Sequence, residues 1–203
     1  MWPLNLDVKA LNTMAKRIEQ LIQAERWYAA RRELRHLMRD KPEDHWLLTR
    51  LGLTYYEERK YKTALRYEER ARRIAPFCPL VLWDCAGSLQ MLHRHDEALE
   101  VYQALTRRGA RRIAFGACGE GLAWANGLVA DCYYRIALSF KDLGESDKAL
   151  AAIAKHLDMR GPGCRSIYAL AEINRLAENI RSRRNSHPIK GTNRRARPWR
   201  SHG

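Results

Sequence analysis

The chain has 203 residues, 46% hydrophobic and 30% charged, with a formal net charge of +14. That is enough apolar material for one buried core, and a scarcity of Phe beside abundant Ala, Leu, Arg and Glu argues against a β protein. No run approaches about 18 apolar residues, and MWPLNLDVKAL lacks the charged start and apolar stretch of a signal peptide, so neither a membrane span nor export is expected and the expected location is cytoplasmic.

The basic excess is uneven. Residues 181–203 carry eight Lys/Arg and no Asp or Glu, leaving 29 basic against 23 acidic residues on the body. The five cysteines, at 78, 85, 118, 132 and 164, are odd in number and form no CxxC pair. Their spacing suggests neither a disulfide framework nor a zinc site, so they read as small buried apolar residues.

In chain order, residues 8–24 have helical apolar spacing at Val8, Leu11, Met14, Ile18, Leu21 and Ile22. Residues 26–40 read as the partner helix. Tyr28, Ala29, Leu34, Leu37 and Met38 are expected inward, with Arg31, Arg32, Arg35 and Arg39 on a solvated outer face, and Pro42 ends it.

Residues 45–76 form the best-defined unit. Leu48, Leu51, Gly52 and Tyr55 lie on its first helix, and Tyr61, Ala64, Leu65 and Ala71 on its second, which stops at Pro76. The landmarks return 34 residues later: Leu82 for Leu48, Ala86 for Gly52, Ala98 for Ala64 and Leu99 for Leu65. A period of that length with small residues at fixed places means a helical hairpin copied and stacked.

The next Ala-Leu pair, Ala149-Leu150, arrives 17 residues late. The surplus falls in a stretch bearing Gly109, Gly116, Gly119 and Gly121, read as a loop plus an N-terminal extension of a helix running to about Leu143. Gly144 breaks that helix, and Ser146 is a suitable N-cap for another over about 147–158. Gly161-Pro162-Gly163 stops the chain again, and Ile167, Leu170, Ile173, Leu176 and Ile180 predict a capping helix over 164–181. Residues 182–203 lack periodicity and read as a basic disordered tail.

The run Leu48-x-x-Leu51-Gly52-x-x-Tyr55, with Ala64 and Pro76, resembles the tetratricopeptide repeat. The family's leading Trp is Leu48 here, and its second-helix aromatic is replaced by Glu68, although Tyr102 supplies it in the next copy. A later copy keeps Tyr133, Ile136, Ala137, Phe140 and Ala149, with Gly161 where the family closes on Pro. The segment CGEGLAWANGLVADCYYRIALSFKDLG also resembles an elaborated helix of some bacterial repeat proteins. The resemblance implies an all-α, right-handed superhelical stack over 1–181, with repeats near 11–42, 45–76, 79–110 and 130–163 and an insert at 111–129. It further implies a binding scaffold whose first helices line a concave groove, with no enzymatic activity.

The groove stripes expected at i, i+3, i+7 and i+10 are Trp46, Thr49, Leu53 and Tyr56; Leu80, Trp83, Gly87 and Gln90; and Asp131, Tyr134, Leu138 and Lys141. Aromatic anchors in such a groove are the usual carriers of binding energy, so a peptide or helix is the expected partner. The alternative is that these rings are core. Arg50, Arg135 and Lys141 are the expected charge partners for an acidic or mixed apolar peptide. The Lys and Asn clamp that some family members use on a C-terminal carboxylate is missing, with Thr49, Leu53 and Gly87 in its places.

Other constellations are weaker. His93-x-His95-Asp96 has no third ligand at sensible spacing, and its residues serve equally well at a helix start. Gly116-Ala-Cys-Gly119-Glu-Gly121 lacks the Lys-Ser/Thr of a phosphate loop, and no base stands beside Cys118 in sequence. No cofactor or metal is therefore expected. In the tail, Arg181, Arg183, Arg184, Arg194, Arg195, Arg197 and Arg200, with Trp199 to stack on a base, supply the second functional reading, a chain associated with RNA, ribosomes or another polyanion.

Overall fold

The structure, a computed structural model, describes residues 8–186, with side chains from 13 to 184. Those residues form helices and connections without a strand. Four hairpins follow one another: α1 (Val8–Gln23) with α2 (Trp27–Asp40), α3 (His45–Glu57) with α4 (Tyr61–Ile74), α5 (Pro79–Met91) with α6 (His95–Ala114), and α7 (Leu122–Asp142) with α8 (Ser146–Asp158). A last helix, α9 (Leu170–Ser186), packs on α8.

The repeat is written into the backbone. Glu25, Arg59 and His93 each adopt a left-handed φ, of 54°, 58° and 59°, at the turn inside successive hairpins, and Gly144, at 77°, does so in the fourth. At each turn the next amide donates back across the end of the first helix: Arg26 to Leu21 at 2.9 Å, Lys60 to Tyr55 at 2.9 Å, Arg94 to Leu89 at 3.0 Å and Glu145 to Phe140 at 2.8 Å. This is the helix stop that a left-handed residue makes, and only the fourth advertises it with glycine.

Small residues occupy the seams as their periodicity predicts. Ala30, Ala64, Ala86, Ala98, Ala137 and Ala149 are fully buried. A β-carbon on Gly52 would lie 2.9 Å from Glu68 Cγ, so a larger residue there would force the buried Glu68 side chain to shift. Around the seams, Ile18, Leu34, Leu47 and Leu51 fill the first hairpins. Leu82, Leu99, Leu105, Val129, Ile136 and Ile153 fill the larger core of the later ones.

The structure corrects several sequence expectations. In α2 the apolar stripe is shifted: Tyr28 is 73% exposed while Arg31 is 7% exposed. Arg31 donates to the Thr54 carbonyl and to Glu58 at 2.8 Å, and its guanidinium lies 4.8 Å from the Tyr55 ring centroid. A buried cation is tolerated because it is paired and hydrogen-bonded. Ser146 is the first residue of α8 rather than its cap, and Glu145 stands at the cap position without a side-chain bond. Helix α6 continues into the insert: Gly109, at φ 75° and ψ 154°, bends the chain before helix resumes to Ala114. The capping helix starts at Leu170, not at 164, and runs to Ser186, so residues 182–186 are helical rather than tail. Arg194, Arg195, Arg197, Trp199 and Arg200 lie outside the described residues.

Candidate partner-binding groove

Residues 164–169, expected to be helical, instead run as an irregular strap across α7. The Arg165 amide donates to the Ala123 carbonyl at 3.3 Å. Asp131 receives the Ser166 hydroxyl at 2.5 Å and the Ile167 amide at 3.0 Å. Burial pushes the Asp131 carboxyl above its ordinary range, against these two bonds. Tyr168 lies against Tyr134, ring centroids 4.2 Å apart, and the Tyr134 hydroxyl donates to Glu172 at 2.7 Å.

The strap covers the first half of the third stripe. Asp131 and Tyr134 are buried beneath it, Leu138 packs into the core, and Lys141 pairs with Asp142 at 2.9 Å. Two residues of the earlier stripes are also internal. Thr49 is buried and donates to the His45 carbonyl of its own helix. Gln90 is buried and donates to the Arg135 carbonyl at 2.8 Å and to Ser139 Oγ at 2.7 Å, so it joins α5 to α7.

The expected cations are engaged too. Arg135 donates to the hydroxyls of Tyr102 at 3.0 Å and Tyr56 at 3.4 Å. Arg50 donates to Glu19 at 2.6 Å and stacks over Trp46 at 5.7 Å. The four aromatics of these stripes, Trp46, Tyr56, Trp83 and Tyr134, are therefore separated rather than continuous. Tyr134 is under the strap, Trp46 lies in its own recess beside the insert, and Tyr56 and Trp83 share a cavity.

That cavity, of about 260 Å³, is lined by Leu53, Tyr56 and Trp83 from α3 and α5, by Arg135, and by Ile167 and Tyr168 of the strap. Its remaining charged lining is acidic: Glu57, Glu68 and Asp84. Glu68 is 1% exposed, and beyond the neighbouring Ser88 hydroxyl its carboxylate oxygens have no hydrogen-bond partner. Asp84 Oδ2 is covered and unpartnered. Burial, then the nearby Asp84, pushes the Glu68 carboxyl up to about 9, and burial, partly offset by Arg50 and reinforced by Glu57, pushes Asp84 to about 7. Both carboxyls give up their protons less readily than exposed acids do, and a cation in the cavity would favour their charged forms.

In the sequence, Glu68 stands out only as a missing aromatic. Asp84 had a readable signal as the sole charged residue of PLVLWDCAGSLQM. Ile167 and Tyr168 had none, because the strap needs the whole fold to bring it over α7.

No family model matches the sequence, and no curated protein is similar to it. Solved structures are. MamA from Desulfovibrio magneticus RS-1 superposes with a TM-score of 0.66 at 15% identity, covering 87% of this chain and 86% of that one. YrrB, described as a TPR protein with an unusual peptide-binding site, superposes with a TM-score of 0.60 at 19% identity, covering 88% and 78%. The chain has the tetratricopeptide-repeat fold. MamA from AMB-1 gives the same architecture, with a TM-score of 0.61 at 15% identity over 89% and 92%. At such identities the likeness is one of fold. Among the described residues, no helix of this tetratricopeptide-type solenoid is long and apolar enough to cross a membrane.

Proposed function

We propose that the chain is a non-enzymatic protein-interaction scaffold whose concave face takes a peptide or helix, with a basic side chain of that partner entering the cavity between Tyr56, Trp83 and Tyr168. The observation that carries this reading is the set of poorly partnered carboxylate oxygens on Glu68 and Asp84 beside aromatic walls. A buried polar atom without a partner is costly, and an ammonium or guanidinium would relieve it while stacking on the rings. The peptide-binding site in the description of YrrB supports the same use of this fold. The charge preference is thus the reverse of the acidic peptide expected from Arg50, Arg135 and Lys141, because those cations are already engaged.

The test is capture of arrayed peptides varied in Lys and Arg content by the full chain, by Trp83→Ala and by Asp84→Asn. Peptides with a basic residue next to apolar ones should bind the parent chain and lose binding to both variants while each variant still unfolds as a cooperative, folded chain. Preference for acidic peptides, or indifference to both substitutions, sinks the reading. Retention of RNA with a steep loss on adding salt would instead favour the basic tail.

A further inference from the structure

The insert carries a second site, independent of the groove reading. Between α6 and α7 the loop 115–121 turns back onto the first turns of α3 and α5. It brings Cys118 Sγ to 3.4 Å from His45 Nε2, across 73 positions of sequence. Cys78, at the cap position of α5 and 5% exposed, lies beside both. The three donor atoms fall within 4.8 Å of one another, and among the described residues they are the one such group.

We infer that His45, Cys78 and Cys118 form a binding site for a thiophilic divalent cation of the zinc class. Two sulfurs and an imidazole are the donor set that zinc prefers over magnesium or calcium. A tetrahedral zinc, with bonds of about 2.3 Å to sulfur and 2.0–2.1 Å to nitrogen, sets neighbouring donors roughly 3.5–3.8 Å apart. The Cys118–His45 pair, at 3.4 Å, already has that scale, and closing the remaining pairs from within 4.8 Å needs only small side-chain shifts. Three protein ligands leave a fourth position for water, in a recess that Glu120, Trp46 and Arg50 also line.

The loop is built to hold Cys118 in place. Cys118 itself has φ 60°, a left-handed conformation rare outside glycine. A β-carbon on Gly119 would lie 2.4 Å from the carbonyl oxygens of both Ile113 and Ala114, and one on Gly116 would lie 2.8 Å from the Arg112 carbonyl. The glycines of GACGEG therefore serve a close backbone path that ends with a thiol against His45. The bound cation would clamp the insert onto two different repeats.

Three ligands from three separate elements also explain why no ligand spacing is visible in the sequence. Asp44 caps α3 by accepting from the Trp46 and Leu47 amides, which fixes the turn that presents His45.

The test uses the full chain without a polyhistidine tag, purified in a phosphine reductant, loaded with zinc or with cobalt alone. One zinc per chain is expected, together with a cobalt spectrum carrying thiolate-to-metal charge transfer and tetrahedral d–d bands. Cys118→Ser, at an exposed position, and His45→Gln should each reduce the zinc-induced rise in melting temperature and alter the d–d bands, and Cys118→Ser should also cut the charge-transfer intensity by removing one of the two thiolates. A parent chain that binds no more metal than Cys118→Ser overturns the site, as does a cobalt spectrum that the two substitutions leave unchanged. A reduced chain that takes no zinc, but links Cys78 to Cys118 on mild oxidation, overturns it in favour of a redox pair.

Discussion

Gly127 faces the backbone of Arg165 so closely that a β-carbon on it would lie 2.1 Å from the Arg165 carbonyl oxygen. The glycine lets the strap cross α7 in contact with the helix backbone, and Asp131, one turn on, fastens it through Ser166 and Ile167. Gly127→Ala should push the strap off the helix, because the obstacle is main chain and cannot rotate away. The expected result is faster tryptic cleavage after Arg165, with the hairpins still folded. Asp131→Ala should act in the same direction. Unchanged cleavage in both variants would show that the strap is held by its aromatic contacts instead.

Glu68 makes stability depend on pH. Its folded carboxyl is raised from 4.5 to about 9, so the folded state keeps a proton that the unfolded state releases. The stabilisation it gives is complete below the unfolded value and drains as pH climbs towards about 9. Asp84, raised from 3.8 to about 7, has the same sign over a lower window. Glu68→Gln keeps the shape without the charge. It should flatten the fall in melting temperature across the neutral to mildly alkaline range and raise it at the alkaline end. A parallel slope in the variant would mean that the carboxyl is solvated.

Ala98 is fully buried in the α5–α6 region, at the position its counterpart Ala64 holds one repeat earlier. Ala98→Leu should overpack the helix contact and cost about 1–3 kcal/mol in denaturant unfolding. A neutral substitution would require the helices to separate without loss, against the close packing of the surrounding residues.

Asp44 accepts from the Trp46 amide at 2.9 Å and the Leu47 amide at 3.2 Å. Asp44→Ala should cost about 1 kcal/mol by leaving the start of α3 uncapped. Asp44→Asn should recover most of it, since the amide oxygen accepts equally well. Equal losses in both variants would assign the effect to charge rather than to the cap.

The repeat is legible in the residues alone. Ala64 and Ala98, or Gly52 and Ala86, recur at the stack's period because each hairpin meets its neighbours in the same way, and a small residue is needed wherever two helices touch. The helix stops before Glu25, Arg59 and His93 repeat at the same interval, although none of the three is a glycine. The late return of the repeat at Ala149 also revealed the insert, and the long α7 that follows it.

Which face of that scaffold is open depends on contacts between distant segments. Periodicity puts Tyr134 and Asp131 on the groove stripe, but it carries no information about a strap arriving from 164–169 to cover them. It gave Arg31 an outward place because arginine is polar, whereas Glu58 and the Thr54 carbonyl supply the partners that permit burial. Cys78, Cys118 and His45 look unrelated along the chain and meet because the insert folds back over two repeats. Spacing reports contacts made within a helix or between equivalent helices, since those repeat. Contacts made once, by a loop or a strap, leave no period to read.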